Sequence, residues 1–159
     1  MRLVVQRVTS ASVTIAGKGV VGAISKGACV LIGIGEHDGD REVAWAVQTI
    51  VDAKLWDDSD GRPWKESMKM QSYGVLLVSQ FTLYGKTPKK GKLDFHHAMP
   101  PTSAQPVYDT IVAKVQAEMG EPNTQCGEFG ATMEVGDCRV ILLTMGCFDI
   151  FFVYAGFLS

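Results

Sequence analysis

Near the middle of the chain, an apolar run leads straight into polar residues: Gly74-Val75-Leu76-Leu77-Val78-Ser79-Gln80-Phe81-Thr82-Leu83. Four apolar residues directly after a glycine are typical of a short strand that is buried on both faces. The same pattern occurs earlier, where residues 28–34 are apolar and lie between Gly27 and Gly35. Both segments are therefore predicted to be buried strands, and the first is predicted to run on through Leu83.

The segments around these strands alternate between strand and helix signals. Residues 3–8 and 12–15 are rich in β-branched types and precede a turn at 16–19, which predicts an antiparallel start. A helix is predicted from Asp40, because apolar residues recur at helical spacing. Its predicted buried face is Val43, Val47, Ile50, Val51 and Lys54.

A second helix is predicted after Pro100 and Pro101. Residues 102–105, Thr-Ser-Ala-Gln, have the spacing of a capping box, and Gly120 with Pro122 gives a stop signal. The predicted buried face is Val107 or Tyr108, then Ile111, Val112, Val115 and Met119. The last third of the chain, from Cys126 onward, has a strand-like composition. This alternation favours one α/β or α+β unit over residues 1–159.

The composition excludes several classes of protein. The chain has 159 residues, of which 47% are hydrophobic and 20% charged, with a net charge of −2. Intrinsic disorder needs lower hydrophobicity and higher net charge, and a basic nucleic-acid coat needs a positive chain. Four cysteines without a Cys-x-x-Cys pair predict no structural metal site. Reduced cysteines and an N-terminus unlike a signal peptide predict a cytoplasmic protein.

Several motifs have competing interpretations. Gly33-Ile34-Gly35 follows a strand, but Asp38 stands where a dinucleotide-binding loop needs a glycine, so a plain turn is favoured. Ser79, with Asp94, His96 and His97 downstream, allows a Ser-His-Asp hydrolase, although the glycines of a nucleophile elbow are missing. The lysines at 86, 89, 90 and 92 form either a solvated loop or a contact to a phosphate backbone.

The run from Val78 to Leu83 resembles the signature of the D-aminoacyl-tRNA deacylase family, of the D-tyrosyl-tRNA deacylase type. The resemblance covers most of the chain and is strong through Val135. It includes the opening strands, the second buried strand, the loop before the long helix and the segment that leads into the family's second signature. The corresponding residues are 1–13, 27–33, Phe95 with 98–101, and 123–135.

The resemblance implies a fold and an activity. The fold would be a single mixed α/β domain, with twisted, largely antiparallel sheets packed on two main helices. The activity would be hydrolysis of the ester that joins a D-amino acid, or glycine, to the terminal ribose of tRNA. The family works as a homodimer whose site is built across two subunits. No metal, organic cofactor or membrane is implied.

The resemblance also implies roles for individual residues of the catalytic segment 79–82. The amides of Gln80 and Phe81 would form an oxyanion hole, and Ser79 would hold the α-amino group or the terminal adenosine. Thr82 would be the nucleophile in one mechanism. In the other, which is favoured because no base is assignable, the ribose 2′-hydroxyl activates water.

Substrate-binding roles follow in the same way. Phe81 and Phe95 would line the adenine pocket by stacking. Arg7 would anchor the second signature, and Lys86, Lys89 and Lys90 would meet the acceptor-stem phosphates.

The chain departs from the family after Val135. The family continues with a strand that ends in Asn-x-Gly-Pro-Val-Thr, whose cis Gly-Pro bond selects chirality, but this chain has no proline after Pro122. A non-catalytic binder of tRNA ends is therefore an alternative. Residues 140–158 contain one charge, Asp149. Because that charge lies centrally and glycines interrupt the run, two buried strands are favoured over a membrane span.

Overall fold

A long strand, β1 (Arg2–Ile15), organises the sheet. The computed structural model describes residues 1–87, 91–146 and 150–153, with the backbone alone for 137–146 and 150–153. Residues 3–8 and 12–15, predicted as separate strand segments, form one continuous strand. Along one edge β1 pairs antiparallel first with β3 (Gly27–Gly33) and then with β2 (Gly19–Ile24). Its other edge pairs antiparallel with β8 (Met133–Gly146).

The remaining strands extend this sheet to both sides. β6 (Gly74–Ser79) pairs parallel with β3, and β7 (Thr124–Cys126) pairs parallel with β6. β9 (Ile150–Val153) pairs antiparallel with β8. The result is a seven-stranded sheet in the order β7-β6-β3-β1-β8-β9, with β2 beside β1. A separate two-stranded sheet joins β4 (Lys54–Trp56) to β5 (Glu66–Ser67).

Two long helices and one short helix cover one face of the large sheet. They are α1 (Asp40–Asp52), the four-residue α2 (Met68–Gln71) and α3 (Pro101–Met119). Alternate strand side chains, including Val5, Val30 and Leu77, are fully buried against Ile50 of α1 and Ile111 of α3. The opposite face holds a smaller core that β2 covers, formed by Val8, Ala11, Val13, Cys29, Leu76 and Val78. The prediction of a mixed α/β fold on two main helices is confirmed.

The helix boundaries differ from the sequence prediction at two points. Lys54 is exposed in β4, because α1 ends at Asp52 and the chain turns into the small sheet. The capping box predicted at residues 102–105 is wrong, since α3 begins at Pro101 with Pro100 as its N-cap. Proline suits the first helical position because its fixed φ and missing N–H match what that position requires.

The end of β6 also differs from the prediction. The strand stops at Ser79, and residues Phe81–Tyr84 form a 3-10 helix. Gly33 makes this possible, because a Cβ there would lie 2.9 Å from Leu83 Cβ and 3.2 Å from the Gln80 carbonyl oxygen. A Cβ on Gly35 would lie 2.5 Å from the Tyr84 hydroxyl oxygen. The two glycines therefore let the 3-10 helix lie directly on the end of β3.

The strands predicted in the tail appear where the backbone is described, as the end of β8 and as β9. Residues 147–149 and 154–159, which include Asp149, lie outside the described part. Among the described residues, no helix has the length and apolarity needed to cross a membrane.

Candidate active site

A cavity of about 640 Å³ lies at the carboxyl ends of the parallel strands β3 and β6. Ligands of sheets with parallel strands bind at this edge. Segments distant in sequence form its wall: the two strand ends, the loop before α3, the first turn of α3 and the start of β8. The lining residues are Ile32, Ile34, Val78–Phe81, Phe95, Ala98–Pro101, Ala104, Phe129–Met133 and Val135.

The predicted catalytic segment contributes Ser79, Gln80 and Phe81 to this wall. The backbone N–H of Gln80 donates to the Ile32 carbonyl oxygen at 2.8 Å, which extends the β3–β6 ladder by one bond. That amide is therefore not free for an oxyanion, contrary to the role that the resemblance implied. The Phe81 amide opens the 3-10 helix and makes no hydrogen bond to any described residue. First-turn N–H groups lack a partner within the helix.

An aromatic pair stands on one side of the cavity. The rings of Phe81 and Phe95 meet edge to face, with 5.3 Å between their centroids. Phe81 is 58% exposed, so its ring faces solvent as well as Phe95. Gly85 leaves room for the pair, because a Cβ there would lie 2.9 Å from Phe95 Cε1. The structure thus brings together the two phenylalanines that were predicted to line one pocket.

Another part of the wall is a segment to which the sequence assigned no site role. Residues 129–133 enter the cavity lining between β7 and β8. Phe129 is held by the Tyr108 ring at 5.6 Å, and the buried Tyr108 hydroxyl donates to the Leu77 carbonyl oxygen at 2.9 Å. Burial raises the pKa of this hydroxyl. The available signal was the pair of glycines around Glu128 and Phe129, because a residue without a Cβ often marks a close approach of the backbone to another group. At the buried Gly127 that group is Met133, whose sulfur would lie 2.6 Å from an added Cβ.

Thr82 lies outside the cavity lining. Its hydroxyl oxygen accepts a hydrogen bond from Gln80 Nε2 at 2.5 Å. A carboxamide is not a base, so this contact orients the hydroxyl without activating it.

The histidines considered for a serine hydrolase have other partners. His96 Nδ1 lies 2.5 Å from Asp94 Oδ2, and His97 Nδ1 lies 3.3 Å from Glu36 Oε1. Neither histidine lines the main cavity or forms a hydrogen bond with Ser79 in the described part of the chain. A nucleophile needs a base within hydrogen-bond reach, so this arrangement does not support the Ser-His-Asp alternative. Over the same residues, no group of three potential metal ligands comes together.

Of the predicted tRNA-binding cations, Arg7 and Lys86 lie in the described part of the chain, and neither lines the cavity. Arg7 Nη1 donates to the Leu55 carbonyl oxygen at 2.9 Å, and its guanidinium carbon lies 5.9 Å from the Trp56 ring centroid. Arg7 therefore braces β4 within this subunit. Lys86 is exposed and forms a two-residue bridge with Asp94. Lys89 and Lys90 lie outside the described residues.

Comparisons with known proteins agree on one family. The family model described as D-Tyr-tRNA(Tyr) deacylase matches residues 4–139. A D-aminoacyl-tRNA deacylase of Yarrowia lipolytica is 44% identical over 137 residues, which cover 85% of this chain and 88% of that protein. The mouse D-aminoacyl-tRNA deacylase 1 is 39% identical over 135 residues, covering 85% and 64%.

Among solved structures, the c-Myc DNA unwinding element binding protein matches with a TM-score of 0.86 at 35% identity. The match covers 92% of this chain and 98% of that one. The family match ends close to Val135, where the sequence was seen to depart from the family pattern.

Proposed function

The chain belongs to the D-Tyr-tRNA(Tyr) deacylase family, and from that membership we propose that it is a tRNA-editing hydrolase that removes D-amino acids, and glycine, from mischarged tRNA. The observation that carries the proposal is the cavity itself. It brings the 79–81 segment, the Phe81–Phe95 pair and the 129–133 wall around one space. Its volume of about 640 Å³ lies in the range of sites for small organic ligands.

We propose a mechanism that needs no protein nucleophile. An aminoacyl ester is already activated, so the site has to orient it and stabilise the developing oxyanion. The Phe81 amide, unpaired among the described residues, is the donor best placed for that oxyanion. The terminal ribose 2′-hydroxyl would activate the attacking water.

The two ends of the substrate suit different walls of the cavity. An unpaired terminal base is held in proteins by stacking on aromatic side chains, which favours Phe81 and Phe95. The hydroxyl-bearing Ser79 and Thr132 line the same space and would receive the amino-acid end. Exposed Lys86 lies further along the chain from the 3-10 helix and would meet the RNA backbone.

The functional unit is proposed to be a cytoplasmic homodimer. In the family the site is completed by the partner subunit, and residues 1–159 would supply one half of it. The exposed Val135 in the cavity wall is apolar surface suited to such a partner. Discrimination against L-amino acids would then come from residues other than a cis Gly-Pro pair, because this chain lacks that sequence.

The test is a deacylation time course with D-Tyr-tRNA, L-Tyr-tRNA and Gly-tRNA at matched protein and salt concentrations. We expect rapid loss of the D-tyrosyl and glycyl esters and survival of the L-tyrosyl ester. Equal loss of both tyrosyl esters would overturn chiral proofreading. Binding of tRNA without turnover of any ester would favour the non-catalytic alternative.

Ser79→Ala separates the proposal from a serine hydrolase. Because no histidine reaches Ser79 among the described residues, we expect the variant to keep kcat within about tenfold of the parent. Loss of a triad nucleophile would instead lower kcat by about 10⁶-fold.

A further inference from the structure

A second, smaller cavity adjoins the active site. Its volume is about 190 Å³. Its wall combines cationic, acidic and imidazole side chains: Arg2, Glu36, His37, Lys86 and His97, with Asp38 and Tyr84 beside them. Two of the three histidines of the chain, His37 and His97, contribute to it, whereas the main cavity is largely apolar.

The small cavity shares its backbone with the main one. Tyr84 stands three residues after Phe81 in the 3-10 helix, a distance of ~6 Å at ~2 Å per residue. His97 directly precedes Ala98, and Gly35 directly follows Ile34; Ala98 and Ile34 both line the main cavity. A strand of RNA whose last nucleotide occupies the main cavity would therefore pass this second site one or two nucleotides earlier.

Two cations of the small cavity suit a phosphate. Arg2 is exposed, and one of its N–H groups donates to the Leu83 carbonyl oxygen at 2.7 Å. A guanidinium carries five N–H donors, so this contact leaves others for a ligand. Exposed Lys86 adds a mobile point charge on the same wall. Contacts of this kind account for most protein–nucleic-acid hydrogen bonds.

The acidic side chains point to a ribose beside that phosphate. Asp38 is already used, because its oxygens accept from the Met1 amine at 2.5 Å and from the Gly35 N–H at 2.7 Å. Glu36 is half-exposed, and its Oε1 lies 3.3 Å from nitrogens of His37 and His97. A carboxylate on the wall repels a phosphate, because both are negatively charged. It can, however, accept a hydrogen bond from a hydroxyl group. The 2′-hydroxyl of RNA is such a donor.

We propose that this cavity binds one ribose-phosphate unit of the RNA strand that leads to the esterified nucleotide. Arg2 and Lys86 bind the phosphate, and Glu36 accepts the 2′-hydroxyl. The inference rests on the proposed function for the identity of the RNA. It adds a second recognition point, which distinguishes RNA from DNA at a position remote from the ester.

The experiment measures the Kd of uncharged RNA minihelices that end in a single-stranded 3′ segment. One minihelix is entirely ribonucleotide, and the other carries 2′-deoxyribose at the two nucleotides before the last. We expect the all-ribose minihelix to bind about tenfold tighter, as a hydrogen bond to a charged acceptor predicts. Equal Kd values for the parent protein would overturn the proposal.

Two variants assign the effect to this cavity. In Glu36→Ala the two minihelices should bind with about the same Kd. Retention of the ribose preference in this variant would overturn the role of Glu36. Lys86→Gln should weaken both minihelices and lower the slope of log K against log salt by ~0.7–0.9, the loss expected for one phosphate contact. Its matched control is Lys114→Gln on the exposed face of α3; identical salt slopes in the two would overturn the role of Lys86.

These measurements use uncharged RNA, so they do not depend on turnover. Failure of the deacylation time course with a preserved ribose preference would reject the hydrolase and keep the binding site. Normal deacylation with no ribose preference would reject the binding site and keep the hydrolase.

Discussion

Phe81 is a large apolar side chain that remains 58% exposed beside the cavity. Its exposure means that truncation removes little core packing, whereas stacking of a base on an aromatic ring contributes ~1–3 kcal/mol. We therefore expect Phe81→Ala to raise KM for D-Tyr-tRNA about tenfold with little change in kcat. Leu93→Ala is the control, because Leu93 is also 58% exposed but lines neither cavity. An unchanged KM in Phe81→Ala would contradict the stacking role.

Thr82 tests the choice between a protein nucleophile and a substrate-assisted reaction. Its hydroxyl accepts from Gln80 Nε2 and lies outside the cavity lining. We expect Thr82→Val to change the single-turnover rate constant less than about tenfold, since only one exposed hydrogen bond is lost. A loss of several orders of magnitude would restore Thr82 as the nucleophile.

Asp94 gives the loop before α3 a pH dependence. The His96 backbone N–H, and then the His96 side chain, hold the Asp94 carboxyl pKa below its ordinary value. A lowered folded pKa adds stability above the ordinary value of ~3.9, and this stability is lost as the pH falls through the folded value. We expect the parent to have a higher Tm than Asp94→Asn at neutral pH and the difference to vanish in acid. A difference independent of pH would contradict this assignment.

The family resemblance assigned Phe81 and Phe95 to one pocket, and the structure brings their rings together. The end of β6 at Ser79 was not predicted, because the strand was expected to run on through Leu83. The Gln80 N–H donates to the Ile32 carbonyl oxygen, which belongs to a strand distant in sequence. The sequence alone therefore did not show that this amide already has a hydrogen-bond partner. The same holds for Arg7, which was expected to anchor the second signature, because its acceptor, the Leu55 carbonyl oxygen, is brought to it only by tertiary packing.

At the scale of secondary-structure elements, Gly85 couples the 3-10 helix to the loop before α3. A Cβ at this position would lie 2.9 Å from Phe95 Cε1 and 3.0 Å from the Thr82 carbonyl oxygen. Because the carbonyl belongs to the backbone, we expect Gly85→Ala to displace the Phe95 ring and raise KM at least severalfold.

Gly39→Ala is the matched control for this prediction. The nearest atom to its added Cβ is a Glu42 carboxylate oxygen at 4.0 Å. Steady-state kinetics of the two variants compare the positions directly, and equal KM values would contradict the coupling of Gly85 to Phe95.

Strands and helices were largely predictable, because β-branched runs and helical spacing are local signals. The 3-10 helix at 81–84 was not, since its residues Phe-Thr-Leu-Tyr have the composition of a strand. What overrides that preference is the pair of glycines at 33 and 35, which accept the helix on the end of β3. The sequence showed both glycines but not what would lie against them.

At the scale of the whole molecule, Tyr108 joins α3 to the sheet. Its buried hydroxyl donates to the Leu77 carbonyl oxygen, which also accepts from the Gly127 N–H. The carbonyl thus keeps one donor in Tyr108→Phe, so we expect a loss of ~1 kcal/mol in the free energy of unfolding by urea. A loss above ~3 kcal/mol would contradict this accounting.

The Tyr108 hydroxyl also predicts the direction in which the free energy of unfolding changes at alkaline pH. Burial raises its pKa in the folded protein, whereas the unfolded chain releases this proton near the ordinary value of ~10. The contribution is present below pH ~10 and is lost as the pH rises above it. The free energy of unfolding should therefore fall more steeply above that pH in the parent than in Tyr108→Phe.

The walls of the cavity come from residues 32–34, 78–81, 95–104 and 129–135. The cavity therefore needs the whole stretch from residue 32 to residue 135. The wall formed by residues 129–135 takes its place only when β1 has paired with β8. During synthesis the ester site would thus be completed last, after the three helices and strands β1 to β7 have left the ribosome. Catalytic activity would then appear only once the whole sheet has formed. A chain halted before residue 129 would have most of the secondary structure and none of the activity.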